Sequence, residues 1–355
     1  MSTLFAFFAL VALHPTITVP HQPARAQIRL DTSEAEAVLN ILDKKAAAQE
    51  VTDADWRALF DARPYLRLRD REAGMKRSFT DSEFRDFVLN GEAAGRGAAL
   101  RALLEDWKRA DFAGIAERIL AYLPPGATVR ATVYPVIKPK HNSFVWELDK
   151  DPAIFFYLDP AVSAAQFENA AAHELHHVGL QSISSRYDAR IASLPERARL
   201  AAGLIGCFGE GFAMLAAAGS PDIHPHANSN PEDRQRWDRD MAGIDGDLRS
   251  VDGFLREVAA GTLSSEEAND RAMAFFGTQG PWYTVGYRMA AAVEKKYGRQ
   301  ALLECMEDPR KLLATWNQIS GGQAKWSQDL LQAVEAAPII PQGPHRSKAP
   351  AGGAC

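Results

Sequence analysis

Residues 170–179 read AAAHELHHVG and contain His173-Glu174-Leu175-His176-His177. This H-E-x-x-H pattern constrains the chain more than any other feature in it. On a helix, positions i and i+4 share a face, so His173 and His177 offer two imidazole nitrogens to one ion. Glu174 stands beside the first of them, where its carboxylate reaches a water on the ion rather than the ion itself. Two imidazole ligands, an open position for water and a neighbouring carboxylate base make up the zinc-hydrolase arrangement. His176 points off that face and is expected either to pack or to support a ligand from behind.

The flanking sequence supports a helix at the motif. Ala153–Leu158 (AIFFYL) is a short apolar, aromatic-rich run that reads as a buried strand. Asp159 then reads as an N-cap with Pro160 at the first helical position, opening a helix over residues 161–180. Two further strands are expected upstream, Thr128–Ile137 and Ser143–Leu148, with Pro135 consigning the far half of the first to an edge or a bulge. Capping signals start helices at Ser33, Thr52, Thr80 and Ser264. A longer helical period runs from Ala98 to Leu123, and Trp282–Tyr297 reads as a helix stopped by Gly298. The fold class is therefore α+β and mainly helical: a small mixed sheet, then the H-E-x-x-H helix, then a helical C-terminal part.

A third ligand has to come from elsewhere. The form with a His six residues beyond the motif fails, because residue 183 is Ile. Two glutamates are candidates on a second helix. Glu196 follows a proline and is explained as a helix-start acid favoured by the macrodipole. Glu210 falls within the apolar run 200–218, where an unpaired carboxylate is costly, and Gly206, Gly209 and Gly211 leave room beside it. Glu210 is favoured.

The segments HELHHVGL and GEGFA, with Gly280–Ala290 (GPWYTVGYRMA), resemble a bacterial zinc-dependent peptidase family of gluzincin type over roughly residues 127–320. The resemblance implies a zincin-like catalytic domain with one zinc ion per chain, held by His173, His177 and Glu210. It implies Glu174 as general base and a tyrosine, Tyr283 or Tyr287, donating to the oxyanion of the reaction intermediate. In such domains an edge strand pairs with extended substrate backbone, a role expected of Ser143–Leu148. The expected substrate is a peptide or protein. The alternatives are a zinc amidase or esterase acting on a non-protein substrate, and a non-catalytic module whose zinc is structural, with His224 or His226 as a fourth ligand.

Composition narrows the partners. A net charge of −5 with no long basic run argues against nucleic acid and a polybasic membrane patch. The cluster Arg67, Arg69, Arg71, Lys76 and Arg77 is interleaved with Asp70 and Glu72 and reads as a solvated face. Leu4–Leu13 is apolar but too short to span a bilayer, and Ala24-Arg25-Ala26 follows as a small-x-small site. Residues 1–26 thus read as a signal peptide, the protein as secreted or periplasmic, and no stable membrane insertion is expected. Residues 27–125 read as a helical N-terminal region, 126–337 as the metallopeptidase domain and 338–355 as a Pro/Gly-rich disordered tail. Cys207 and Cys305 are either a disulfide or two free thiols.

Overall fold

The computed structural model describes residues 16–18 and 23–339. The mainly helical α+β expectation holds. The apolar run Leu4–Leu13 lies outside the described residues, as does the tail from residue 340 on. Two compact units divide the chain: the described residues up to Glu117 together with Thr128–Gln181, and Arg118–Ala127 together with the described residues from Ser182 on.

The first unit is built on a five-stranded sheet of order β1-β2-β3-β5-β4. Its strands are β1 (Thr16–Thr18), β2 (Ala26–Asp31), β3 (Val129–Val136), β4 (Phe144–Trp146) and β5 (Ala153–Tyr157). β2, β3 and β5 run parallel, and β1 and β4 pair antiparallel at the two ends. Strand β1 and the first residue of β2 fall within the segment that cleavage after Ala26 would remove. Pro135 lies inside central β3, not at an edge. Its missing donor faces the side on which β2 has already ended, since the β2–β3 register stops at Leu30 and Val133. The next outward amide there, Ile137 N–H, donates instead to Glu34 Oε2 at 3.0 Å.

Between β2 and β3 run α1 (Ser33–Ala46), α2 (Asp53–Phe60), α3 (Arg63–Gly74), α4 (Asp81–Asn90), α5 (Gly97–Lys108) and α6 (Phe112–Leu120). The stretch 98–123 is thus two helices. Asp111 breaks it, its carboxylate accepting the Gly114 N–H at 2.8 Å to start the second. Helix α7 (Ala164–Gln181) follows β5. It begins later than Asp159 and Pro160 suggested. Asp159 instead closes a local turn onto Ala161 N–H, and Ser163 with Gln166 forms a reciprocal cap.

The second unit is helical: α8 (Ser184–Ile191), α9 (Glu196–Ile205), α10 (Gly209–Ala218), α11 (Pro231–Ala242), α12 (Ile244–Ala260), α13 (Ser265–Ala274), α14 (Pro281–Tyr297), α15 (Arg299–Glu307), α16 (Pro309–Ile319) and α17 (Gln328–Ala333). A 3-10 turn, Gly206–Phe208, joins α9 to α10. By length and composition Glu196–Ala218 could cross a membrane, but most of it is buried inside the protein. Cys207 and Cys305 are free thiols, each pushed up to about 12 by burial.

Candidate metal centre

Helix α7 is fixed by one apolar stripe. Phe167, Ala171, Ala172, Leu175 and Val178 are buried, and Phe167 stacks on Trp107 of α5 at 4.1 Å with nearly parallel rings. Phe156 of β5 meets the same ring edge-on at 5.2 Å. Burying that stripe sets the rotation of the helix. It leaves His173, Glu174 and His177 half-buried, while His176 between them is wholly buried. His176 is thus buried off the face that His173 and His177 share.

The Nε2 atoms of His173 and His177 stand 3.1 Å apart. Two nitrogens bound to one zinc at roughly 2.05 Å and a tetrahedral angle would be about 3.3 Å apart. The observed pair is within a few tenths of an ångström of that spacing, so the rings fit a shared zinc ion.

In the second unit Glu210 is half-buried and occupies the first turn of α10. The sequence placed it mid-helix. The 3-10 turn Gly206–Phe208 joins α9 to α10 with Ile205, Gly206, Phe208 and Gly209 all in right-handed helical geometry, so Glu210 does lie within one continuous helical run, Glu196–Ala218. Glu196, by contrast, stands at the true start of that run, in the first turn of α9 after Pro195, where the backbone dipole favours a carboxylate. Exposure separates them too: Glu196 is open to solvent and Glu210 is half-buried. Of the three glycines expected to admit a neighbouring helix, Gly211 does so. A Cβ there would lie 2.1 Å from the backbone nitrogen of Tyr287 on α14, so the two helices meet backbone to backbone. A Cβ on Gly206 would meet nothing within 4 Å.

Tyr283 and Tyr287 lie one turn apart on α14. Tyr283 is half-buried, its ring edge-on to Phe276 at 6.4 Å. Tyr287 is buried and held on two sides. Its ring meets Trp237 edge-on at 5.4 Å, and its hydroxyl makes a long hydrogen bond, 3.4 Å, to the carbonyl of Ile223. Burial pushes that hydroxyl up to about 12.

The polar stretch 221–246 contains α11, started by Asn230 as N-cap and Pro231. His224 lies within 3.0 Å of Asp238 through Nε2 and accepts the His226 N–H at Nδ1. His226 Nδ1 meets Ser229 Oγ at 2.9 Å. These rings tie the loop before α11 to itself and to that helix.

Sequence reasoning missed Arg67. It is buried, not part of a solvated face, and it holds Glu147 and Asp151 beside β4. Its partners lie 80 and 84 positions away in the chain, and no local pattern announces such a pairing.

A family model described as "Putative zinc dependent peptidase (DUF5700)" matches residues 92–321. No curated protein and no solved structure matches the chain.

Proposed function

Because the chain belongs to that zinc-dependent peptidase family, we propose that it hydrolyses peptide bonds at a single zinc ion held by His173, His177 and Glu210. Each of the three offers one ligand atom, an imidazole nitrogen or a carboxylate oxygen. Zinc bound there supplies a Lewis acid for the scissile carbonyl and makes a bound water acidic near neutral pH. Glu174 accepts the proton of the attacking water and passes it to the leaving amine. Tyr283, or else Tyr287, donates a hydrogen bond to the carbonyl oxygen as charge develops on it. Extended substrate backbone pairs with β4, which ends the sheet and has β5 as its neighbour.

The observation that carries this reading is the 3.1 Å separation of the two imidazole nitrogens on one helix face, with Glu174 between them in sequence. The reading with a structural zinc loses support from His224, whose ring nitrogens meet Asp238 of α11 and the His226 N–H. The apolar run at the N-terminus supports export, so the enzyme acts outside the cytoplasm. N-terminal sequencing of protein recovered from the exported fraction tests that part.

The deciding experiment is zinc content, wild type beside Glu210→Ala and Glu196→Ala. One zinc per chain, lost with Glu210→Ala and kept with Glu196→Ala, is expected. Zinc retained in Glu210→Ala would move the third ligand elsewhere. Wild-type protein that takes up no zinc would end the hydrolase reading.

A further inference from the structure

Helix α3 carries Arg67 and Arg71 one turn apart, and both bear on β4. Arg67 is 8% exposed. Its Nη2 donates to Glu147 Oε2 at 2.7 Å and to the backbone oxygen of Asp151 at 2.6 Å, and its Nη1 donates to Asp151 Oδ2 at 3.0 Å. The guanidinium also lies 5.3 Å from the ring centre of Trp146. Arg71, paired with Glu72, sits 3.7 Å from the ring centre of Phe144. Phe144 and Trp146 alternate on one face of β4, so one helix covers that face with two guanidiniums and secures the turn that follows.

The strand needs such help. It is three residues long and is paired on one side, through Phe144–Phe155, Val145–Ile154 and Trp146–Ala153. The residue after it, Glu147, has φ +52°, a left-handed conformation unfavourable for a side chain of this kind. The Arg67 fork grips that residue, and a planar fork with fixed donors suits a carboxylate and a carbonyl together. Helix α3 also precedes the family segment 92–321. The device holding β4 thus comes from a part of the chain the family model does not describe.

We propose that Arg67 and Arg71 are positioning residues for the substrate: they fix β4 and the turn after it in the shape that extended peptide backbone pairs with. This rests on the reading of β4 as the substrate-pairing strand. The test uses full-length, zinc-loaded protein and a quenched fluorescent peptide that the wild type cleaves. Arg67→Ala, Arg67→Lys and Arg71→Gln are compared for KM, kcat, zinc content and amide hydrogen exchange over residues 144–151.

The expected result is a KM raised about tenfold in both Arg67 variants, with kcat within threefold of wild type, zinc unchanged and exchange at 144–151 faster. Lysine does not rescue, because it lacks the fork. Arg71→Gln shifts KM and exchange the same way by less, and it decides the matter if Arg67→Ala does not fold. Faster exchange with unchanged KM would overturn the proposal, as would unchanged exchange. A wild type that binds no zinc and cleaves no peptide would fail the peptidase reading itself. The substrate role of the arginines would then fall with it, whereas exchange alone would still show whether α3 holds β4.

Discussion

Gly211 of α10 lies against Gly286 of α14 with no side chain between them. A Cβ on Gly211 would stand 2.2 Å from the Gly286 carbonyl carbon and 2.1 Å from the Tyr287 nitrogen. Both obstacles are backbone, so the helices have to part to admit even a methyl group. Gly211→Ala is expected to cost about 3 kcal/mol and to lower Tm by roughly 6–12 °C. It should also weaken zinc binding, since Glu210 is the neighbouring residue. Gly286→Ala, whose nearest contacts would be 3.1 Å, should be milder. Thermal unfolding and zinc titration of the two variants check the order.

Glu174→Gln keeps the size of the side chain and removes its basicity. Zinc content should stay at the wild-type level, while kcat falls by about 10²–10⁴-fold. Peptide hydrolysis at the wild-type rate in this variant would rule out Glu174 as the base.

The two tyrosines should separate in a kinetic comparison. Tyr287 already directs its hydroxyl to the Ile223 carbonyl. Tyr287→Phe should therefore cost little in kcat and at most about 1 kcal/mol in stability. Tyr283→Phe should lower kcat by about 10²-fold or more with KM nearly unchanged, the signature of a donor engaged in the transition state. The opposite pattern would assign the role to Tyr287.

Glu34 gives a pH signature away from the metal centre. It is wholly buried at the start of α1, and desolvation raises its carboxyl from 4.5 to about 8 despite the Ile137 N–H bond. The fold thus favours the protonated acid. Its contribution to stability is complete below about pH 4.5, is lost progressively as pH rises towards 8, and changes no further above that. Glu34→Gln keeps a neutral side chain at every pH. The stability difference, variant minus wild type, should grow in the variant's favour between pH 5 and pH 8 in urea unfolding. A difference that stays constant over that range would show Glu34 to be ionised in the fold.

What the sequence disclosed depended on how local the cause was. The capping boxes at Thr52–Asp55, Thr80–Glu83 and Ser264–Glu267 are reciprocal bonds spanning three residues, and all three are present. The cap expected at Ser33 is not: Thr32 is the N-cap there, and Ser33 lies inside α1, its hydroxyl donating to Asp31. The start of α7 was misplaced because Asp159 and Ser163 are both competent caps, and Gln166 decides in favour of Ser163. Helix α11 escaped notice because it buries a single side chain, Trp237, and so shows no apolar period. The 3-10 turn at Gly206–Phe208 tightens an apolar helical run without leaving a mark in the sequence. The α7 imidazole pair was legible from spacing alone, whereas the Arg67 fork exists only once chain segments far apart in sequence have met.

The path of the chain through its sheet limits how such an enzyme could be switched on by proteolysis. β2 precedes six helices and is hydrogen-bonded in register to β3, which follows them. A protease nicking the loops between those helices would cut a covalent link without freeing a removable propeptide. The severed piece would stay laced into the sheet through β2, so a latent form could not mature by shedding it. Control of activity by truncation would have to act upstream of β2 or beyond α17, and an internal nick would yield a two-chain enzyme of unchanged mass.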